Sequence, residues 1–462
     1  MIFNSAVFAL FFPFVFVINW ALPTPKLKQY WLLLSSYVFY GWWDWRLLGL
    51  IIGVSLVAYG TAIVVDRKHP ISKIVLGCAI TLVLAVLGVF KYYGFFVESL
   101  MVVLVPLGLD SNKLLIDIVL PVGISFYSFQ AISYMVDVKR GQIACEKSWV
   151  KVCLYIAFFP QLIAGPIVRA KSLIPQMDRK KQLNARSLQL GLRLFLLGMI
   201  YKVGIADNLA GFVDPVFDDL ARFDQRSVIL ASVAFHSQIY FDFAGYSTMA
   251  VGLALMLGYR IGRNFRYPYL ALNPTEFWKR WHISLSRWFR DYLYIPLGGN
   301  RKGQGRWLYN LFLTMALVGL WHGAAWVFVI WGVLHGAALG LHKLFAKLFE
   351  RKSFTLSLIG FLLTQGLVLG LWTTFRVDDF SQLKLLWQIA LGGNAGGSEH
   401  LPLYAGLVFL PVLVDHLIGS RRARFVSWKP SVFTFWLVVG VLAGALLLIY
   451  PTSHPAFIYF QF

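Results

Sequence analysis

Two histidines stand in surroundings that suit proton chemistry. His322 lies in Gly319-Leu-Trp-His-Gly323, within the long apolar run Leu311–Leu341. Glycines on either side let the backbone bend, which places the imidazole in a cavity rather than against lipid. A buried neutral imidazole is a ready general base. Taking the proton of a hydroxyl as its oxygen attacks is worth roughly 10²–10⁴-fold. By position alone, His322 also reads as a core histidine satisfied by a neighbouring carbonyl. His282 lies in FWKRWHISLSRWFRDYLYIPLGGNRKG (Phe277–Gly303), one turn before Ser286, whose hydroxyl could fix the imidazole tautomer. Structural and functional readings of His282 stand side by side. His335 and His236 read as packed core residues.

The elements that must position these histidines follow from periodicity. Phe277, Trp281, Leu285, Trp288 and Tyr292 make one helical stripe, while Lys279, Arg287 and Arg290 point elsewhere, which predicts a single interfacial amphipathic helix. Asn273 as N-cap, Pro274 at N1 and Glu276 at N3 give it a capping-box-like start, and it ends near Pro296, before Gly298–Gly299. The Gly298–Arg306 segment has glycines and cations but not the spacing of a P-loop, and reads as a lipid-headgroup contact. Leu311–Leu341 is long enough for two helices.

The rest of the chain sets these elements in lipid. Hydrophobic residues are 58% of 462 and charged residues 14%. An average soluble domain carries about one-quarter charged residues. Runs such as Leu47–Val65, Ile74–Val89 and Phe433–Tyr450 approach the ~20 residues of a spanning helix. Their continuity excludes a barrel of alternating short segments. The expected fold is an all-α polytopic bundle of about 11–13 membrane helices with short interfacial and re-entrant pieces. Asn4–Leu22 lacks a basic n-region and a cleavage site, and reads as a retained first helix. Lysines and arginines outnumber acids by 42 to 21, concentrated in Arg169–Arg186, Arg260–Arg306 and Arg421–Lys429. Such segments face the cytoplasm and its anionic leaflet, an explanation preferred to nucleic-acid binding. Cys78, Cys145 and Cys153 have no CxxC spacing or adjacent histidine, so no metal site is expected.

Between about 120 and 345, polar and aromatic residues enter the apolar runs: PVGISFYSFQAISYMVDVK (Pro121–Lys139), FFPQLIAGPIVR (Phe158–Arg169) and QIYFDFAGYSTMA (Gln238–Ala250). Backbone released from helical bonding at membrane depth must line protein or a wet cavity, so a central tunnel is expected. The competing reading is interhelical glue. Asp242 is the one residue here favoured for function. One membrane domain, 1–462, is expected, with N-terminal helices over 1–119, a catalytic core over 120–345 and C-terminal helices over 346–462.

The GLWHG motif and the segment Phe277–Gly303 resemble the membrane-bound O-acyltransferase (MBOAT) family. SSYVFYGWWDW (Ser35–Trp45), the three polar segments and the terminal FIYFQF resemble its bacterial alginate O-acetyltransferase branch. The resemblance implies a tunnel with His322 as catalytic base at its narrow midpoint and His282 assisting by orientation or polarisation. Arg287, Arg290, Asp291 and Asn300 would shape a cytoplasmic donor funnel. Trp278, Trp281, Ser286, Trp321, Gln238, Asp242 and Tyr246 complete the expected substrate and donor contacts. The donor would be acetyl-CoA or an acylated carrier. The partner would be a periplasmic SGNH-type acetyltransferase or acetyl-relay protein that decorates an exported alginate, cellulose or peptidoglycan-like polymer, with this chain in the bacterial inner membrane. Two alternatives accompany this reading. One is the D-alanyl transferase of teichoic-acid modification, and the other is a transporter with Asp137, Lys202 and Asp242 along its path.

Overall fold

The computed structural model describes residues 1–66, 70–107, 116, 118–345, 353–393, 395–402, 407, 409–419, 431–448, 450 and 457–458. The basic block Arg421–Lys429 and the last four residues of FIYFQF lie outside the described residues. Among those described, every regular element is a helix, and β pairing is limited to one isolated bridge between Phe223 and Glu399. The all-α expectation holds, for the reason lipid imposes: a helix satisfies its backbone groups internally. Among the described residues, six helices are long and apolar enough to cross a membrane: Trp45–Asp66, Ser72–Leu107, Ala185–Asp218, Gln225–Met256, Trp326–Leu344 and Phe354–Arg376. Shorter apolar helices are Ala6–Ala21, Leu410–Gly419 and Phe433–Leu448. The protein is a multi-pass membrane protein. Large apolar side chains such as Leu10, Val102 and Phe354 are exposed, as a lipid-facing surface requires.

The chain forms two compact units, Met1–Leu192 with Ala250–Gly262, and Arg193–Met249 with Arg263–Phe462. The first contains α1 (Ala6–Ala21), α2 (Pro25–Gly41), α3 (Leu48–Asp66), α4 (Ser72–Leu87), α5 (Ile124–Lys139) and α6 (Trp149–Ala157). Its polar segments act as glue. Ser36 Oγ accepts the Phe159 N–H at 3.1 Å and donates to the Leu32 carbonyl. The Tyr155 hydroxyl donates to Val168 O at 3.0 Å, and Gln161 Nε2 donates to Tyr155 O at 2.7 Å. Gly123 has φ 75°, and a Cβ there would meet the Leu162 carbonyl oxygen at 2.6 Å. The glycine therefore lets the PVGIS turn touch the FFPQL segment.

The helix α7 (Ala185–Met199) passes through a π-helical stretch, Ile200–Ala206, into α8 (Asp207–Asp218). Then follow α9 (Gln225–Met256), α10 (Pro274–Arg280), α11 (Ile283–Phe289), α12 (Gln304–His322), α13 (Trp326–Leu344), α14 (Phe354–Arg376) and α15 (Phe380–Ala390). The π stretch carries Lys202, whose buried Nζ lies 2.6 Å from Asp207 and 2.7 Å from Asp242 of α9. Leu311–Leu341 is two helices, as its length suggests. They pack backbone to backbone: a Cβ at Gly319 would meet the Phe328 carbonyl oxygen at 2.0 Å.

The single amphipathic helix expected from Phe277 to Pro296 is instead broken. Asn273 caps α10 through the Glu276 N–H at 2.8 Å, as expected, while the Glu276 carboxylate reaches back to the Leu272 N–H. The helix then stops at Arg280, Trp281 is extended, and α11 starts only at Ile283 and passes into a π-helical turn, Arg290–Tyr294. Periodicity hid the break because Phe277, Trp281, Leu285 and Trp288 are buried on both sides of it.

Candidate active site

His282 is the residue at the break. Its backbone is left-handed, φ 40° and ψ 56°, a region that costs a non-glycine residue energy and persists only when the surroundings enforce it. The enforcing group is Asn264, whose carbonyl oxygen accepts the Ile283 N–H at 2.9 Å. Its side-chain Oδ1 accepts the Ser284 N–H at 3.2 Å and the Ser284 hydroxyl at 2.6 Å. This clamp was missed from sequence, where Asn264 is a lone amide in the loop after α9. The His282 ring is completely buried, packed edge-on to Phe243 of α9 with centroids 4.6 Å apart and against Trp321 at 5.8 Å. Burial holds its pKa well below the ordinary imidazole value, so the ring is neutral at physiological pH.

His322 is the last residue of α12, and Gly323 is extended, so the chain turns there into α13. A Cβ at Gly323 would meet the Phe328 ring at 2.1 Å. The bend expected from the flanking glycines is present, and the imidazole is buried. It lies 4.8 Å from Trp321, 5.1 Å from Trp331 of α13 and 5.2 Å from Phe375 of α14, measured between ring centroids. Trp321 thus touches both histidines. Phe243, Trp331 and Phe375, not singled out from sequence, complete the aromatic wall.

The remaining expected residues fall into three groups. Trp278 and Trp281 are buried, Trp278 against Trp331, which also touches His322, and Trp281 against Trp372. A cavity of about 160 Å³ is lined by Trp278, Ser286, Arg290, Thr314 and others. The Ser286 hydroxyl does not hold the His282 tautomer: its N–H donates to the His282 carbonyl at 3.1 Å, and its hydroxyl donates to the Trp281 carbonyl at 3.4 Å rather than to the imidazole. Arg287, Arg290 and Asn300 are exposed, and Arg290 Nε pairs with Asp291 at 2.8 Å. Gln238, Asp242 and Tyr246 are buried at i, i+4 and i+8 of α9, hence on one face. Asp242 is held by Lys202 and by the Ile458 N–H at 2.8 Å, while the neighbouring Phe457 ring lies 5.1 Å from Tyr246. His335 packs on Trp331 at 4.6 Å and His236 stacks on Tyr269 at 3.9 Å, both in aromatic cores.

A buried imidazole at a helix end, which shares the Trp321 ring with a second imidazole on a strained turn, can take a proton from a hydroxyl. Residues 146–376 match the MBOAT family, described as membrane-bound O-acyltransferase. The chain belongs to this family. It is an O-acyltransferase of the membrane. It is 40% identical to a probable alginate O-acetylase AlgI of Pseudomonas putida, covering 100% of both chains. It is 32% identical to the peptidoglycan O-acetyltransferase of Helicobacter pylori, over 100% of this chain and 98% of that one. The teichoic acid D-alanyltransferase of Bacillus subtilis is 27% identical over 49% of this chain and 59% of its own.

Proposed function

We propose that this acyltransferase moves an acetyl group from a cytoplasmic thioester, acetyl-CoA or an acylated carrier, for O-acetylation of an exported polysaccharide. The observation that carries the reading is Trp321, whose ring touches both buried imidazoles in a chain similar from end to end to an alginate O-acetylase. His322 accepts the hydroxyl proton as the oxygen bonds to the thioester carbonyl carbon. The C–S bond then breaks, and the imidazolium returns the proton to the departing thiolate. His282, neutral by burial, polarises or orients the reacting carbonyl. The exposed cations Arg287 and Arg290 receive the anionic donor. An extracytoplasmic partner of SGNH type takes the acetyl group onward to alginate or a cellulose- or peptidoglycan-like polymer. The protein then works in the bacterial inner membrane. The D-alanyl alternative has likeness over only about half the chain.

Thiol release from acetyl-CoA by purified protein in nanodiscs, wild type against His322→Ala, tests the proposal. Release by wild type alone supports it. Release by both removes His322 as base. Release by neither, repeated with acylated carrier protein, removes the thioester-donor reading. Purification from the native host without any acetyltransferase partner counts against the relay.

A further inference from the structure

Among the described residues two other than glycine are left-handed, His282 with φ 40° and Tyr267 with φ 51°. They lie on segments bonded to each other. Asn264 O accepts the Ile283 N–H at 2.9 Å, Arg280 O accepts the Arg266 N–H at 2.9 Å, and Arg280 Nη1 donates to Tyr267 O at 3.3 Å. The loop 264–270 is thus the template on which the break at Trp281–His282 is folded. A strained residue persists only where its surroundings over-determine it, so the template must itself be held.

The group that holds it comes from α16 (Leu410–Gly419), beyond the residues that match the family. Buried His416 accepts the Tyr269 N–H on Nε2 at 3.2 Å, and its ring stacks on the Tyr269 ring with centroids 5.5 Å apart. At Gly419 a Cβ would run into the Tyr267 ring, so the helix lies directly on the second strained residue. A neutral imidazole that accepts at Nε2 carries its proton on Nδ1. That atom is 3.3 Å from Asp415 Oδ2. The buried carboxylate is fixed in turn, with the Tyr201 hydroxyl donating to Oδ1 and the Tyr240 hydroxyl to Oδ2, the latter at 2.7 Å. The Tyr240 and Tyr269 rings also pack on Trp281, with centroids 6.3 and 6.1 Å away. A carboxylate and an imidazole buried on an apolar helix call for a reason, and the acyl-transfer steps use neither.

We propose that Asp415 and His416 are positioning residues for His282. Asp415 holds the His416 tautomer, His416 holds the backbone of the loop at Tyr269, and the loop holds the left-handed turn that aims the His282 imidazole. The effect on turnover rests on the role proposed above for His282; the effect on the turn does not.

The test uses full-length protein in nanodiscs and three variants. His416→Phe keeps a ring against Tyr269 and removes the acceptor, His416→Gln restores an acceptor near the Nε2 position, and Asp415→Asn is nearly isosteric but removes the charge that selects the tautomer. One readout is kcat and KM for thiol release. The other is carbethoxylation of individual histidines by diethyl pyrocarbonate, read by peptide mass spectrometry, with buried His335 as internal reference. His416→Phe should lower kcat by about tenfold or more, the cost of a small misplacement of a reacting group, with KM within about twofold and His416→Gln recovering most of the loss. In a His282→Asn background it should add less than about twofold, because the group it positions is already gone. His282 should be labelled about fivefold faster in His416→Phe and in Asp415→Asn than in wild type or His416→Gln, with His335 unchanged, as a local opening requires. Unchanged labelling of His282 in both variants overturns the proposal. So does faster labelling of His282 and His335 together, which marks general loosening, or a kcat loss that multiplies in full on His282→Asn. Labelling decides the positioning whether or not wild type consumes a thioester, so failure of the acyl-transfer reading is told apart from failure of this one.

Discussion

The second unit buries polar groups in two ways. At Lys202, Asp207 and Asp242 charge is set against charge, with Nζ 2.6 and 2.7 Å from the two carboxylates. Around His282 and His322 imidazoles are set among rings, Phe243, Trp321, Trp331 and Phe375. Removing one member of the ionic cluster leaves a buried charge uncompensated and acts on stability. Removing an imidazole from an aromatic wall deletes one small side chain and leaves no charge uncompensated. On the proposed function, the first arrangement is architecture and the second is a place for a proton to go.

The sharpest way to break this contrast is His322→Ala. Thiol release should fall by roughly 10²–10⁴-fold, the worth of a general base, with melting in detergent close to wild type; a variant that no longer folds would make His322 architecture as well. His282→Asn comes next. Asparagine tolerates the left-handed backbone, so the turn survives, and turnover should drop by about 10²-fold, the lower end of a proton-transfer group. Activity retained by the asparagine variant would reduce His282 to a shape.

On the ionic side, Lys202→Met should destabilise by about 3–5 kcal/mol, as breaking a buried pair does, seen as a lowered melting temperature. Adding Asp207→Asn and Asp242→Asn should recover most of the loss, together with turnover. If the triple variant melts like wild type yet is inactive, the cluster belongs to the chemistry. The smallest effect is expected of Ser286→Ala. Its bond to the Trp281 carbonyl is long, so turnover should stay within about twofold, in line with a weak hydrogen bond.

The sequence made the hairpin of α12 and α13 legible because glycines flank His322 and the run is too long for one helix. The cap at Asn273 was legible because Asn, Pro and Glu stood at the right spacings. The break at Trp281–His282 was not, since aromatic burial continues across it and the left-handed residue is a histidine, not a glycine. Nor was the partner of Asp242, because Lys202 is forty positions earlier and meets it only through tertiary packing. Asp242 stood out from sequence as a polar residue in an apolar run. Its burial was legible, but the reason for its burial was not.

The π-helical stretch Ile200–Ala206 has a consequence for how this chain can change over time. Such a stretch amounts to one residue more than an α-helix would need. Losing one residue between Lys202 and Asp207 would let the helix close into regular α-turns with its two flanks still in phase, and the pair would stand four positions apart instead of five, a spacing an α-helix also bridges. A deletion elsewhere along the helix would turn one flank about 100° against the other. The stretch is therefore the place where the lineage can shorten this helix while keeping its faces in register.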